Sequence, residues 1–152
     1  MVFMRIALIE ARKGFLKKHG GPFGAVITCN NKIVSKAHNT VLRDNDPTAH
    51  AEINAIRLAS KKLKRFDLSD CELYSTCEPC PMCFSAIHWA NIKKVFFGAS
   101  SKDASKIGFK DKQIYEILSG KKKSNIILKK VECDDCVLLM QEFDNWVEKK
   151  LY

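Results

Sequence analysis

The stretch "CELYSTCEPCPMCFSAIHWANIKKVFFGAS", residues 71–100, decides the fold. "CELYST" predicts a short strand, "PMCFSAIHWAN" a helix that begins at a proline, and "KKVFFGAS" a second strand. Strand, helix and strand in so short a span require a crossover connection, which belongs to layered α/β domains. Three cysteines stand in the first junction, Cys77, Cys80 and Cys83, each three positions from the next. Four thiolates would make a closed metal cage, so any further ligand has to come from elsewhere in the chain.

Upstream, Val2, Ile6 and Ile9 form one apolar stripe. Met4, Leu8, Ala11 and Phe15 form a neighbouring one, which predicts an N-terminal helix with a wide buried face. "HGGPFG" ends it. "AVITCNNKIVSKAHN" predicts a hairpin: one strand to Cys29, a turn at Asn30 and Asn31, and a second strand to about His38. In "RDNDPTAHAEINAIRLASKK" a turn at Pro47 precedes a helix for which Thr48 is the expected N-cap. Downstream, "SSKDASKIGFKD" predicts a loop leading into a short helix through Ile114 and Ile117. "NIILKKVE" predicts a fifth strand, and a last helix from about Cys136 carries Leu139, Phe143 and Trp146 at helical steps.

With 152 residues, 46% of them apolar and 28% charged, the chain suits one domain over residues 1–152. Repeats, low-complexity tracts and linkers are absent from the sequence. No apolar run reaches the ~20 residues of a membrane span. Seven cysteines without an export signal favour metal binding, catalysis or buried thiols over a disulfide framework, with the cytoplasm as the expected compartment. The net charge of +9 invites a nucleic-acid reading. The positives fall in short clusters (Lys61, Lys62, Lys64 and Arg65; Lys121 to Lys123; Lys129 and Lys130; Lys149 and Lys150), a pattern that favours a solvated lysine-rich surface.

"HAE", His50 to Glu52, opens the second long predicted helix. With "PCPMC" it makes the pattern H-x-E…P-C-x-x-C, the signature of zinc deaminases. The chemistry of the residues agrees with it. Cys80 and Cys83 project from one face of a first helical turn. There the helix dipole and unpaired N–H groups favour thiolates, the metal-binding form. His50 adds a neutral imidazole. Two sulfurs and one nitrogen suit Zn²⁺ and leave one tetrahedral position for a water made acidic enough to act as nucleophile. Glu52, two residues from the histidine, is free to take that water's proton and deliver it to the ring and the departing amine. Cys77 falls before Pro79, outside the helical turn, and reads as a buried thiol beside the site. A rival four-thiolate site would join Cys80 and Cys83 to Cys133 and Cys136. Its separation far exceeds the ~15–20 residues usual for zinc ribbons and leaves "HAE" unexplained. The last two cysteines read instead as a turn and the start of a helix.

Over nearly its full length the chain resembles the cytidine deaminase superfamily, and within it the guanine deaminases. The resemblance rests on "GGPFGAVI", "NDPTAHAE", "CEPCPMC", "AIHWA", "GFKD" and the closing "KKLY". It implies a three-layer α/β/α fold with a five-stranded mixed sheet, one Zn²⁺ per chain, and conversion of guanine and water to xanthine and ammonia. It further implies that Phe23 and Trp89 wall the base pocket and that Asn39 hydrogen-bonds the purine. The Ala51 backbone N–H would lie near the reacting centre, Asp111 would accept ring N–H protons, and Tyr152 would close the site. A carboxylate acceptor suits guanine, which presents donors at N1 and its amino group. A homodimer with exchanged C-terminal segments is implied in the same way.

Two features depart from the subfamily pattern: Lys110 directly before Asp111, and His38 before Asn39. The tRNA adenosine deaminases share the zinc motifs and would use the positive charge. Their basic, aromatic C-terminal helix is not matched by "EFDNWVEKKLY". A non-catalytic zinc module binding RNA through its lysines would leave Glu52 without a task.

Overall fold

The computed structural model describes residues 2–109 and 111–151. Its elements, in chain order, are α1 (Val2–Leu16), β1 (Gly24–Cys29), β2 (Lys32–His38), α2 (Val41–Asp44), α3 (Ala51–Leu63), β3 (Cys71–Cys77), α4 (Pro81–Trp89), β4 (Lys94–Ala99), α5 (Ser101–Lys106), α6 (Asp111–Leu118) and α7 (Asp134–Asn145). The strands form one mixed sheet in the order β2-β1-β3-β4. β1 pairs antiparallel with β2 and β3, while β3 and β4 run parallel across the α4 crossover.

The hairpin turns at Asn30 and Asn31, both with positive φ, a conformation asparagine tolerates better than most residues. Along β1, Ala25 and Ile27 point to a core completed by Ala51, Ala55 and Ala59 of α3, Leu73 of β3 and Ile87 of α4. The opposite face of the sheet receives α1. There the approach is close: a Cβ on Gly24 would lie 2.2 Å from the carbonyl oxygen of Ala7. That explains which side of α1 turns inward. Its buried residues are Ala7, Glu10, Ala11 and Gly14, while Val2, Leu8, Ile9 and Phe15 are exposed. The expected large apolar face is thus corrected to one of small residues, because bulky side chains would hold the helix off the sheet.

Three further expectations change. Thr48 does not cap α3. His50 is the N-cap, and Thr48 instead donates its N–H and hydroxyl to Asp46 Oδ1, both at 2.7 Å. Part of the loop expected after β4 is helical, because Ser100 and Asp103 make a reciprocal capping box at the start of α5. The fifth strand is not formed. The sheet has four strands, and residues 125–132 take no regular structure and are exposed. A strand exists only where a ladder partner takes its N–H and C=O groups, and among the described residues this segment has none.

Candidate active site

Two helix starts meet behind the sheet. His50 is the N-cap of α3 with φ −70° and ψ 158°, and Cys80 is the N-cap of α4 with φ −64° and ψ 166°. Pro81, without an N–H to lose, begins α4, and Cys83 stands one turn from Cys80. His50 Nδ1 lies 3.6 Å from Cys80 Sγ and 3.5 Å from Cys83 Sγ. A tetrahedral zinc with Zn–N of about 2.05 Å and Zn–S of about 2.3 Å sets its nitrogen and sulfur ligands about 3.5 Å apart. Both nitrogen–sulfur distances therefore already match a tetrahedral zinc site. All three ligand atoms lie within 4.8 Å of one another.

The protonation of this cluster suits a metal. The Cys80 thiol is lowered to about 4: the hydrogen bond from Cys83 outweighs burial, and His50 adds to it. Cys83, which donates to Cys80 and is buried, moves up. His50 is raised by its hydrogen bond to Cys80, against the effect of burial. A divalent cation bound here would take the place of the protons these groups share.

Glu52, in the first turn of α3, is only 5% exposed. Ser75 of β3 donates its hydroxyl to Glu52 Oε1 at 3.1 Å. Burial, foremost, pushes the Glu52 carboxyl above its ordinary value. Ala51, between His50 and Glu52, is fully buried. As the first residue of α3 its N–H has no intrahelical acceptor.

A cavity opens onto this cluster, lined among others by Phe23, Asn39, Cys77, Phe109 and Asp111. Phe23 and Phe109 meet edge to face, ring centroids 4.7 Å apart and planes at 77°. Gly21 lies beneath them, and a Cβ there would be 2.7 Å from the Phe109 ring. Asn39 Oδ1 accepts the backbone N–H groups of Gly21 (3.3 Å) and Val41 (3.2 Å). That assigns its oxygen to the loop and its amide N–H groups to the cavity side. Asp111 begins α6, and burial, followed by the negative charge of Cys80, raises its carboxyl. α6 is pinned by Tyr115, whose hydroxyl donates to the Pro79 carbonyl at 2.7 Å.

Phe23, Asn39, Glu52, His50, Cys80 and Asp111 thus line one cavity. Trp89 does not line this cavity. It ends α4 and is 66% exposed. A helix rises 1.5 Å per residue, which carries it about 13 Å from the Cys80 end. Tyr152 lies outside the described residues. Two lining residues were missed by the sequence reading. Phe109 stands inside "GFKD", two positions before Asp111, and its aromatic character was the available signal. Glu78, whose Oε2 accepts the Ser101 N–H at 2.8 Å, gave none. Cys77 lines the cavity as a buried thiol pushed up to about 11 by burial and the charge of Glu52. Cys133 and Cys136 sit far along the chain at the start of α7, their sulfurs 3.1 Å apart and outside the His50 cluster.

Residues 1–99 match the family model described as "Cytidine and deoxycytidylate deaminase zinc-binding region". The chain belongs to this deaminase family. The matched region contains both helix starts and with them the cluster of His50, Cys80 and Cys83. Among deaminases it is 43% identical to the guanine deaminase of Bacillus subtilis over 99% of this chain and 97% of that one. The crystal structure of that enzyme superposes with a TM-score of 0.93 at 42% identity, again over 99% and 97%. A guanine deaminase from Nitrosomonas europaea superposes with a TM-score of 0.67 at 33% identity, over 72% of this chain and 63% of the other. The tRNA-specific adenosine deaminase of Aquifex aeolicus is 47% identical over 66% of each chain. That of Buchnera aphidicola subsp. Schizaphis graminum is 37% identical over 93% of this chain and 91% of the other.

Proposed function

We propose that residues 1–152 form one zinc-dependent guanine deaminase domain that converts guanine and water to xanthine and ammonia. The observation that carries this reading is the end-to-end match to a guanine deaminase, which includes the C-terminal third as well as the zinc motifs. His50, Cys80 and Cys83 would hold zinc, which supplies a Lewis acid that makes water a nucleophile near neutral pH. Glu52, tied to Ser75, takes one proton from water and gives it to a ring nitrogen, then takes the second from the hydroxyl left on the ring carbon and gives it to the departing amine. Asp111 accepts ring N–H protons, the amide of Asn39 donates to a ring acceptor, and the Ala51 N–H faces the reacting centre. Phe23 and Phe109 exclude water from the faces of the base. Tyr152 closes the site.

The protein acts as a homodimer whose C-terminal segments exchange. Ile126, Ile127 and Leu128 are 75%, 89% and 94% exposed, and β4 offers the sheet's outer edge. Residues 125–132 of a second copy supply the missing fifth strand, and α7 follows. Exchange of this kind also offers Trp89 to a neighbouring site. Seven free thiols suit the reducing cytoplasm. No helix among the described residues is long and apolar enough to cross a membrane.

The test is ammonia release from guanine, guanosine, cytosine and a tRNA anticodon stem-loop. Xanthine from guanine is expected. Inosine in the stem-loop without xanthine would overturn the substrate. Glu52→Gln is expected to keep zinc and lose turnover by about 10²–10⁴. A monomer in light scattering at micromolar concentration would overturn the dimer.

A further inference from the structure

At the opposite end of β3 stands a second cluster of metal-ligating side chains. Cys29 ends β1 and Cys71 begins β3, and the two are direct partners across the antiparallel ladder. Such pairs hold their Cβ atoms about 4.5–5.5 Å apart. Asp70, one residue before Cys71, reaches both sulfurs: Cys29 Sγ lies 3.3 Å from Oδ2 and Cys71 Sγ 3.6 Å from Oδ1. The three ligand atoms lie within 4.8 Å of one another.

We propose that Cys29, Asp70 and Cys71 form a second metal site, for a thiophilic divalent cation of the zinc class. Its size is the first argument. With Zn–S of about 2.3 Å and Zn–O of about 2.0 Å, tetrahedral sulfur and oxygen ligands stand about 3.5 Å apart. Each sulfur stands near that distance from one of the two Asp70 oxygens, Cys29 at 3.3 Å from Oδ2 and Cys71 at 3.6 Å from Oδ1, so a small turn of the carboxylate presents one oxygen to an ion held between the sulfurs.

Charge is the second argument. On binding, two S–H bonds break, two metal–sulfur bonds form and two protons pass to solvent. Two thiolates, a carboxylate and a divalent cation leave one negative charge. Arg65 Nη2 already donates to Asp70 Oδ1 at 2.5 Å, which neutralises that charge and orients the carboxylate, the usual task of a hydrogen bond to a metal-ligating group.

Preorganisation is the third argument. The turn that presents Asp70 is held by the Ser69 N–H on Asp67 Oδ1 (2.8 Å) and the Cys71 N–H on the Leu68 carbonyl (2.9 Å). Cys71 is buried, Cys29 half-buried and Asp70 exposed, so the fourth position faces water. The ion would clip the end of β1 to the start of β3. The length of β3 separates it by roughly 20 Å from Cys77 and the catalytic cluster.

The test uses the full chain with zinc in the His50 cluster, in a phosphine reductant, titrated with Co²⁺. Native mass spectrometry counts zinc and cobalt separately, and near-ultraviolet thiolate-to-cobalt charge transfer reports the ligands. Wild type is expected to carry one zinc and one cobalt per chain. Cys29→Ser, a near-isosteric change at a half-buried position, and Asp70→Asn, at an exposed one, are expected to keep the zinc and bind cobalt at least tenfold more weakly. Arg65→Gln is expected to weaken it about tenfold. A single ion per wild-type chain, a second ion held unchanged by Cys29→Ser, or a persistent Cys29–Cys71 disulfide under reductant would each overturn the site.

Discussion

Ser75 of β3 donates its hydroxyl to Oε1 of Glu52, the buried carboxylate in the first turn of α3, at 3.1 Å. The bond joins the central sheet to the group proposed to move protons, and it crosses the core in the direction of the cavity. Ser75 is fully buried and also accepts the Cys77 N–H at 3.4 Å, so one hydroxyl positions both the carboxylate and the strand end before Cys80. Ser75→Ala is expected to lower kcat for guanine about tenfold while zinc stoichiometry stays at the wild-type level. Steady-state kinetics with metal analysis on the same preparation checks this. A fall in zinc content parallel to activity would assign Ser75 to the metal cluster instead.

The metal cluster makes its own prediction. His50 Nδ1 lies at zinc-ligand spacing from both sulfurs. Binding free energy of a preformed site adds to folding free energy. With the second cluster removed by Cys29→Ser, a chelator is therefore expected to lower the thermal midpoint of the protein, whereas the same background carrying His50→Ala or Cys83→Ala melts at the same temperature with and without it. Calorimetry decides, and a chelator-sensitive midpoint in either variant would remove that residue from the ligand set.

Gly20 shapes the base pocket through Asn39. A Cβ on Gly20 would lie 2.0 Å from Asn39 Oδ1, and Asn39 is buried with little room to retreat. Gly20→Ala is expected to destabilise the fold by about 1–3 kcal/mol, the cost of overpacking. It should also raise KM for guanine with zinc retained. Denaturant unfolding and kinetics test the two halves separately, and an unchanged KM would take Asn39 out of the substrate's hydrogen bonds.

The α1 face of the sheet governs acid stability. Glu10, 5% exposed, lies 3.2 Å from Lys36 Nζ and 3.4 Å from His38 Nδ1. Burial acts to raise its carboxyl, but the hydrogen bonds from Lys36 and His38 and the charge of Lys13 outweigh it and hold it below the ordinary value of 4.5. The unfolded chain therefore takes up this proton first. The contribution is fully present above the unfolded value near 4.5 and is lost as pH falls through the lower folded value. Glu10→Gln is expected to cost about 1–3 kcal/mol at pH 7 and progressively less below pH 4.5. Urea melts across pH 3 to 7 measure the convergence.

Much of the site was readable without coordinates because its ligands are local events. Cys80 and Cys83 are one turn apart at a helix that Pro81 begins, and His50 and Glu52 are two apart at another helix start. Such spacings allow few geometries. The pocket walls were less readable. Phe109 packs on Phe23 across most of the chain's length, and no periodicity reports a pair so distant. Trp89 shows the converse: it lies in a helix with a ligand, yet the rise of that helix carries it away from the cavity.

The sequence by itself carried the zinc-deaminase motif, the order of the four strands and of the long helices through β4, and the crossover that brings α4 behind the sheet, while the short helix α2 went unread. These follow from short-range spacing, turn residues and the handedness of connections. Only the tertiary structure decided which face of α1 turns inward, which aromatic rings wall the cavity, and that residues 125–132 find no strand partner within the described chain. An apolar pattern states that a surface is to be covered. What covers it depends on how closely distant segments can approach, as Gly24 against Ala7 shows, and that distance is a property of packing in three dimensions.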